Sequence, residues 1–412
     1  MKRALSRLRI FQGMWGAARR AELLRKYRER RELYASQARA EGLVYDEKKV
    51  IRDIRARLVA RGAAPRARAF GGIHTFTFLP SYTWHDQLLF DISELGPVSR
   101  YDYRKRGFGW EKFYAADRAG LESRRQMNGE FLSAVLNAHR ERPIDWIFVY
   151  GSGIEVSSNT IRRIREETGV PTVNMCLDDK QSWSEPWMGD HRGGQVDIGR
   201  EFDISWTSAR VACEWYLVEG ARPIYLPEGF DSRTYRPVDT PVDLPVSFCG
   251  GAYGFRPSVI RYLRAHDVDV HAFGQGWAKE SRWTNDFATI FCRSAVNLGM
   301  GGVGYSEMLT NVKGRDFEVP GTGGGVYLTS YNPDLAQHFV IGREILCYRH
   351  RDEMLELLRH YLAHPSEARE IAVRARERSL KEHRWLNRFE KICRILGVLA
   401  PETYEGKITS DS

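Results

Sequence analysis

From residue 73 onward the chain alternates short apolar runs with amphipathic segments, and this alternation restricts the available folds more than any other feature. DWIFVYGSG, with the apolar run WIFV, has the pattern of a strand buried on both faces, and PTVNMCLDD reads as another strand. Between them lies SNTIRRIREETG, a helix with Ser158 or Asn159 as its expected N-cap and Gly169 as its stop. IHTFTFLP, VSRYDY, DISWTS and PIYLPEGF read as further strands, and WHDQLLFDISEL and VACEWYLVEG as helices. Strands that alternate with helices in this way form a parallel sheet covered on both faces. The pattern stops at the proline-containing stretch FDSRTYRPVDTPVDLP, which reads as a linker. It resumes with the strands VSFCGG, VDVHAFGQGW, AVNLGM, GGVYLTS and REILCY and the helices PSVIRYLRAH, RDEMLELLRHYLAHP, SEAREIAVRARERSLKEH and RWLNRFEKICRIL. The expected fold class is therefore α/β, with two Rossmann-like domains facing across a cleft, since ligands of open α/β sheets bind beyond the carboxyl ends of the strands.

The N-terminal part has a different character. Residues 1–62 read as helix, and RGAAPRARAFGG breaks it. Residues 1–68 hold 20 Lys and Arg against 7 Asp and Glu, so the surplus of a chain with net charge +9 lies wholly in this extension and the remainder is mildly acidic. That distribution argues against a nucleic-acid-binding body. Leu5, Leu8, Phe11 and Trp15 recur at helical spacing among arginines. Such a stripe suits either an anionic membrane surface, through residues 1–20, or a helix packed on its own protein or on a partner. There is no apolar run long enough to span a bilayer and no secretory h-region, which leads us to expect a cytoplasmic chain, peripheral on the inner membrane face if the stripe meets lipid. The six cysteines show no metal-ligand spacing and several lie in strand-like runs, so buried free thiols are expected, with no metal site and no cofactor.

One stretch concentrates charge beside glycine: NVKGRDFEVPGTGGGVYLTS, residues 311–330. Arg315 and Glu318 are three apart, hence on one helix face. A helix N-terminus favours anions, a cation there neutralises a diphosphate, and a carboxylate one turn on accepts hydrogen bonds from a ribose diol. Lys313 adds a second cation, and glycines 323–325 permit a tight turn into VYLTS. The alternative is an Arg–Glu surface pair beside an ordinary helix-to-strand turn. FCGGAYGFRP ends a strand in glycines and reaches Arg256, a phosphate candidate or a solvated arginine after a tight turn. In HAFGQGW, Gly274 and Gly276 permit close approach of a base or diphosphate, while Trp277 suits the core equally well.

The segment from GRDFEVPGTGGG to KEHRWLNRF resembles the C-terminal domain of the CgeB-like glycosyltransferases, which are similar to group 1 glycosyltransferases of GT-B fold. The likeness extends over residues 245–395, is weaker over 140–240, and includes His383 and Arg388 near its end. It implies a glycosyltransferase that moves a sugar from a nucleotide-sugar donor to an unidentified glycan, lipid or protein acceptor, without a metal. Glu318 would contact the ribose, and Arg256, Gly274, Lys313 and Arg315 the rest of the donor. Together with the charge distribution, the proline-containing linker and the polar end, it gives the expected domain plan: a basic helical extension at 1–68, which the resemblance does not itself cover, an acceptor-side domain at 69–236, a donor domain at 237–400 and a polar tail at 401–412. The glutamate that retaining members carry eight positions earlier is here Thr310, and the nearest upstream acid is Glu307. This departure leaves open a non-catalytic nucleotide-sugar-binding protein or an epimerase. On the acceptor side His85 in SYTWHD is the expected base, with Asp86 to orient it, set against a satisfied histidine and a capping Asp. Asp178 and Asp179 follow a strand, and adjacent side chains point apart, so only one, taken as Asp178, is expected in the cleft. LPEGFDSRTYRP resembles the crossover out of the first domain, with Glu228 and Asp231 near the hinge.

Overall fold

The computed structural model describes residues 2–63, 65–109, 117–184, 187, 193–277, 286–303 and 306–400, with the backbone alone at 2–20 and 83. The chain forms two compact units. The first comprises Arg31–Pro227 and the segment from Trp385; the second comprises Glu228–Arg384 and the N-terminal segment to Arg30. The expected 1–68 extension divides into helices α1 (Lys2–Ala40) and α2 (Glu47–Ala60), and its second half is no appendage. Val50, Ile54 and Leu58, spaced on one face of α2, belong to the core of the first unit. Tyr34 of α1 stands edge-on to Trp183 and accepts a hydrogen bond from the Trp183 indole at 3.0 Å. The apolar stripe at Leu5–Trp15 and the tail at 401–412 lie outside the residues whose side chains are described.

The first unit is built on a six-stranded, all-parallel sheet. Its strands are β1 (Thr75–Phe78), β2 (Val98–Tyr101), β3 (Trp146–Val149), β4 (Thr172–Cys176), β5 (Ile204–Thr207) and β6 (Pro223–Tyr225), in the order β2-β1-β3-β4-β5-β6. Side chains alternate across it, as a period of two requires. Trp146, Phe148, Val173, Met175 and Trp206 face α2 and α3 (Thr83–Leu95), while Ile147 and Val149 face α4 (Arg118–Glu141) and α5 (Ser158–Thr168). The long helix α4 has no counterpart in the strand-by-strand sequence reading. The α5 cap is Ser157, one residue earlier than expected, which accepts from the Thr160 amide, while Gly169 ends the helix at φ 69° as expected.

The second unit holds β7 (Leu244–Cys249), β8 (Val270–Phe273), β9 (Ser294–Leu298), β10 (Val326–Ser330) and β11 (Leu346–Tyr348), all parallel in the order β11-β10-β9-β7-β8. Around it lie α9 (Arg256–Ala265), α10 (Phe287–Arg293), α11 (Arg315–Thr322), α12 (Arg351–Ala363) and α13 (Pro365–Glu382); the intervening helices α6 (Asp179–Ser182), α7 (Gln195–Ile198) and α8 (Ala212–Val218) belong to the first unit. The last helix, α14 (Trp385–Leu396), departs from the expected 237–400 domain. Phe389 packs 5.5 Å from the Phe148 ring and 5.6 Å from Trp206, and Trp385, Ile392 and Leu396 join the same core. A backbone bridge between Arg68 and Leu399 secures the returning chain. A helix apolar along one whole face folds wherever a sheet face is open, and the open face here is that of the first unit.

Candidate functional sites at the two strand-order reversals

In each sheet the strand order reverses once at an interior position, between β1 and β3 in the first and between β7 and β9 in the second. Such reversals open a crevice beyond the carboxyl ends of the strands. Most of the candidate residues lie at these two places.

In the second unit, β7 ends at Cys249 and Gly250–Gly251 follow. Gly274 (φ 132°) brings its backbone against Gly250, where a Cβ would meet the Gly250 carbonyl oxygen at 2.6 Å, so this glycine serves close packing of two loops. The Arg315 guanidinium lies at the end of β7. Its Nε donates to the Cys249 carbonyl at 3.4 Å, its Nη1 pairs with the Glu318 carboxylate, and its plane lies 4.3 Å above the Phe287 ring. α11 exists because Asp316 anchors its first turn: the carboxylate accepts from the Lys313 amide at 2.7 Å and the Tyr327 hydroxyl at 2.8 Å. Burial pushes the Asp316 carboxyl up to about 6. At the other end, Gly323 adopts φ 69°, and Arg369 and Arg376 donate to the carbonyls of Gly323 and Gly321 at 3.0 and 2.6 Å. Gly324 and Gly325 serve packing; a Cβ on either would strike the backbone of Phe291–Ala295.

Arg256 begins α9 stacked 4.2 Å over Tyr253, and its Nε is buried without a hydrogen-bond partner. Burial lowers its proton affinity, so this cation gains from any anion that reaches it. The charge of Lys313 acts on Asp316, and its amide anchors the same carboxylate. The sequence leaves Glu228, near the hinge, between a structural and a catalytic role. A Cβ on Gly314 would lie 2.8 Å from Glu228 Oε2 and 3.4 Å from Glu318 Oε1, so two carboxylates converge on one glycine. Asp231, by contrast, is consumed by its own turn, accepting from Arg233 and Thr234. Glu307 pairs with Arg351, and Thr310 forms a bridge with Gly302. His383 caps the end of α13 and bonds the His338 carbonyl, while Arg388 is buried in α14.

In the first unit, a cavity of about 220 Å³ opens at the reversal. Loops after β1, β3 and β4 line it with Tyr82 and His85, with Tyr150 and Glu155, and with Asp178. His85 is 2% exposed, with Tyr82, Trp84 and Tyr150 rings around it. Its Nδ1 lies 2.8 Å from the Pro80 carbonyl. A carbonyl only accepts, so Nδ1 carries the proton and Nε2 presents a lone pair. Burial brings the imidazole down to about 4. Asp86 does not orient it: one residue further along the helix it turns away and pairs with Arg100 at 2.9 Å. Asp178 and Asp179 diverge. Asp178 lines the cavity, while Asp179 is fully buried, accepts from Tyr216 at 2.7 Å and from Thr207, and is pushed up to about 6 by burial. Glu155, which the sequence reading passed over, accepts from the amide and hydroxyl of Ser152 at 2.9 and 2.7 Å. Its only sequence signal is its place after GSG at a strand end.

Two all-parallel α/β units, each with its crevice at an order reversal, have the fold of GT-B glycosyltransferases. Residues 256–394 match a family model described as "Glycosyl transferase-like". Among solved structures, Anabaena Alr3699/HepE in complex with UDP and glucose is 10% identical with TM-score 0.50, covering 78% of this chain and 99% of that one. The HepE complex with UDP-glucose gives the same score and identity, over 78% and 100%. A structure of trehalose-6-phosphate synthase is 10% identical with TM-score 0.50, covering 80% and 100%. No curated protein matches.

Proposed function

We propose that this chain is a metal-independent, CgeB-like glycosyltransferase that binds a nucleotide-sugar donor in its second unit and an acceptor in its first. The observation that carries the reading is the group at the end of β7: Arg315 paired with Glu318, beside the partnerless buried Nε of Arg256, inside the segment that matches a glycosyltransferase family. Arg315 holds one oxygen of Glu318, leaving Oε1 toward Gly314 to accept from the ribose hydroxyls. Arg315 and Arg256, with Lys313 in support, stabilise charge that builds on the diphosphate as the glycosidic bond breaks. His85 Nε2 accepts the hydrogen bond of the attacking hydroxyl, and Asp178 orients the acceptor. Cations and oriented amides carry out the charge neutralisation for which other transferases use a divalent ion. HepE and trehalose-6-phosphate synthase support the reading through fold alone. Residues 1–20 would bring the enzyme to an anionic membrane face.

The test is a thermal-shift and turnover panel of UDP-, GDP- and ADP-sugars on wild type and Glu318→Ala. A donor at a hundredfold excess over Kd raises stability by about 2.7 kcal/mol. Wild type should respond to one nucleotide class and the variant should not. An equal response from both proteins removes Glu318 from the donor site. A donor that binds but is neither transferred nor hydrolysed identifies a binding protein, and conversion of the donor alone into an isomer identifies an epimerase. For the N-terminal segment, wild type should pellet with phosphatidylserine vesicles and a chain lacking residues 1–20 should not.

A further inference from the structure

The charged side chains that line the first-unit cavity among the described residues, Glu155 and Asp178, are both acidic. Glu155 and Asp178 offer carboxylate oxygens, and His85 offers an imidazole lone pair. His85 is almost wholly buried, Nδ1 is engaged by Pro80, and Nε2 has no protein partner among the described residues. The Nε2 lone pair, on a ring that lines the cavity, can accept from a ligand hydroxyl. No Lys or Arg lines the cavity among the described residues. Three nearby cations are engaged elsewhere, Arg100 among them, paired with Asp86 at 2.9 Å. Arg124 donates to the carbonyls of Gly153 and Val156 behind the loop, and Arg104 stacks 4.2 Å over Tyr82 while donating to the Ser81 carbonyl. Tyr82, Tyr103 and Tyr150 supply the apolar remainder of the wall.

We infer that this cavity takes a neutral, hydroxyl-rich ring, a single unphosphorylated sugar residue, whose hydroxyls donate to Glu155, Asp178 and His85 Nε2. The inference rests on the acceptor role proposed above and narrows it to a glycan end. A phosphate or carboxylate on the ring would bring its own negative charge against Glu155 and Asp178, with no Lys or Arg in the lining among the described residues, so the site discriminates by repulsion. Aromatic rings offer flat apolar faces to the C–H faces of a sugar, while the carboxylates take its hydroxyls. At about 220 Å³ the space is below the roughly 300–1,000 Å³ of pockets for drug-sized ligands, so it fits one ring rather than a chain.

Saturation-transfer NMR on the full chain tests this with methyl glucoside, galactoside, mannoside and N-acetylglucosaminide, each beside its 6-phosphate, and with methyl glucosaminide as a cationic probe. At least one neutral glycoside should bind, its 6-phosphate should not, and Glu155→Gln and Asp178→Asn should each weaken it about tenfold or more, the size of one charge-assisted hydrogen bond. Unchanged melting and UDP-glucose binding would establish that both variants fold. Phosphorylated sugars that bind as well as neutral ones, a cationic probe that binds far more tightly than the neutral glycosides, variants that bind like wild type, or no neutral glycoside binding at millimolar concentration would each overturn the inference. Donor binding separates the two claims: a chain that binds UDP-glucose but no neutral glycoside loses only this inference. One that binds a glycoside but no nucleotide sugar loses the transferase reading and keeps the cavity's ligand class.

Discussion

The two sheets end in the same device and in opposite chemistry. In the first, Asp179 is buried beneath the hydroxyls of Thr207 and Tyr216; in the second, Asp316 is buried beneath those of Tyr327 and Thr329. Both carboxyls are pushed up to about 6 by burial. Yet the charged side chains described at the crevice above Asp179 are the carboxylates of Glu155 and Asp178, whereas the one above Asp316 adds the cations Arg315 and Arg256. A buried Asp that anchors a strand-to-helix turn is part of the scaffold, and the few side chains that follow the strands decide what charge each crevice welcomes. Site chemistry is therefore a property of loops held on a repeated frame.

The largest expected effect concerns which unit owns α14. Phe389→Ala removes a ring at the centre of the first core and should cost about 3–5 kcal/mol. A two-probe melt should show the first unit unfolding early while the donor-stabilised transition of the second unit stays in place. Next, Arg315→Ala should lower kcat about 10²–10³-fold in a transfer assay, with acceptor KM unchanged, because the lost donor acts on developing diphosphate charge.

The pH dependence sharpens the contrast further. Asp179 and Asp316 have folded values above the carboxylate norm, so each contributes stability that is full below about 4 and is lost as pH rises through about 6. His85 is shifted the other way, contributing stability that is present above its ordinary value of 6.5 and lost as pH falls through about 4. Each is on the order of 3 kcal/mol. The two oppose each other in the first unit; in the second, Asp316 has no such histidine against it among the groups with resolved shifts. His85→Gln should therefore unmask a rise in first-unit stability on acidification from pH 7 to 4, and Asp316→Asn should flatten the corresponding rise in the second, both read from denaturant midpoints. The smallest effect is Gly314→Ala. Its Cβ would crowd Glu228 and Glu318 and should weaken donor binding about tenfold by calorimetry, equivalent to about 1.4 kcal/mol.

Most of the strands were legible because a strand buried on both faces must be largely apolar, as in WIFV, with TVNMC carrying Thr172 and Asn174 among its apolar residues. The Arg315–Glu318 pair was legible because three-residue spacing puts both on one helix face. The divergence of Asp178 and Asp179 followed from their adjacency. What escaped was non-local. Nothing near Trp385–Leu396 states that its apolar face belongs against Phe148 and Trp206, some two hundred residues earlier in the chain. Glu228 gains its meaning only when Gly314 is brought beside it, and Glu155 only when its loop joins those of β1 and β4. Asp86 misled because proximity in sequence to His85 is not proximity of their side chains on a helix.

The return of Trp385–Leu396 also bears on synthesis. A ribosome releases the first sheet with α2 and α3 well before the helix that completes the cover of Phe148 and Trp206. The portion encoded in the middle can close its own core while its predecessor still lacks one of the helices over Phe148 and Trp206, a stage at which a nascent chain is open to chaperones and to aggregation.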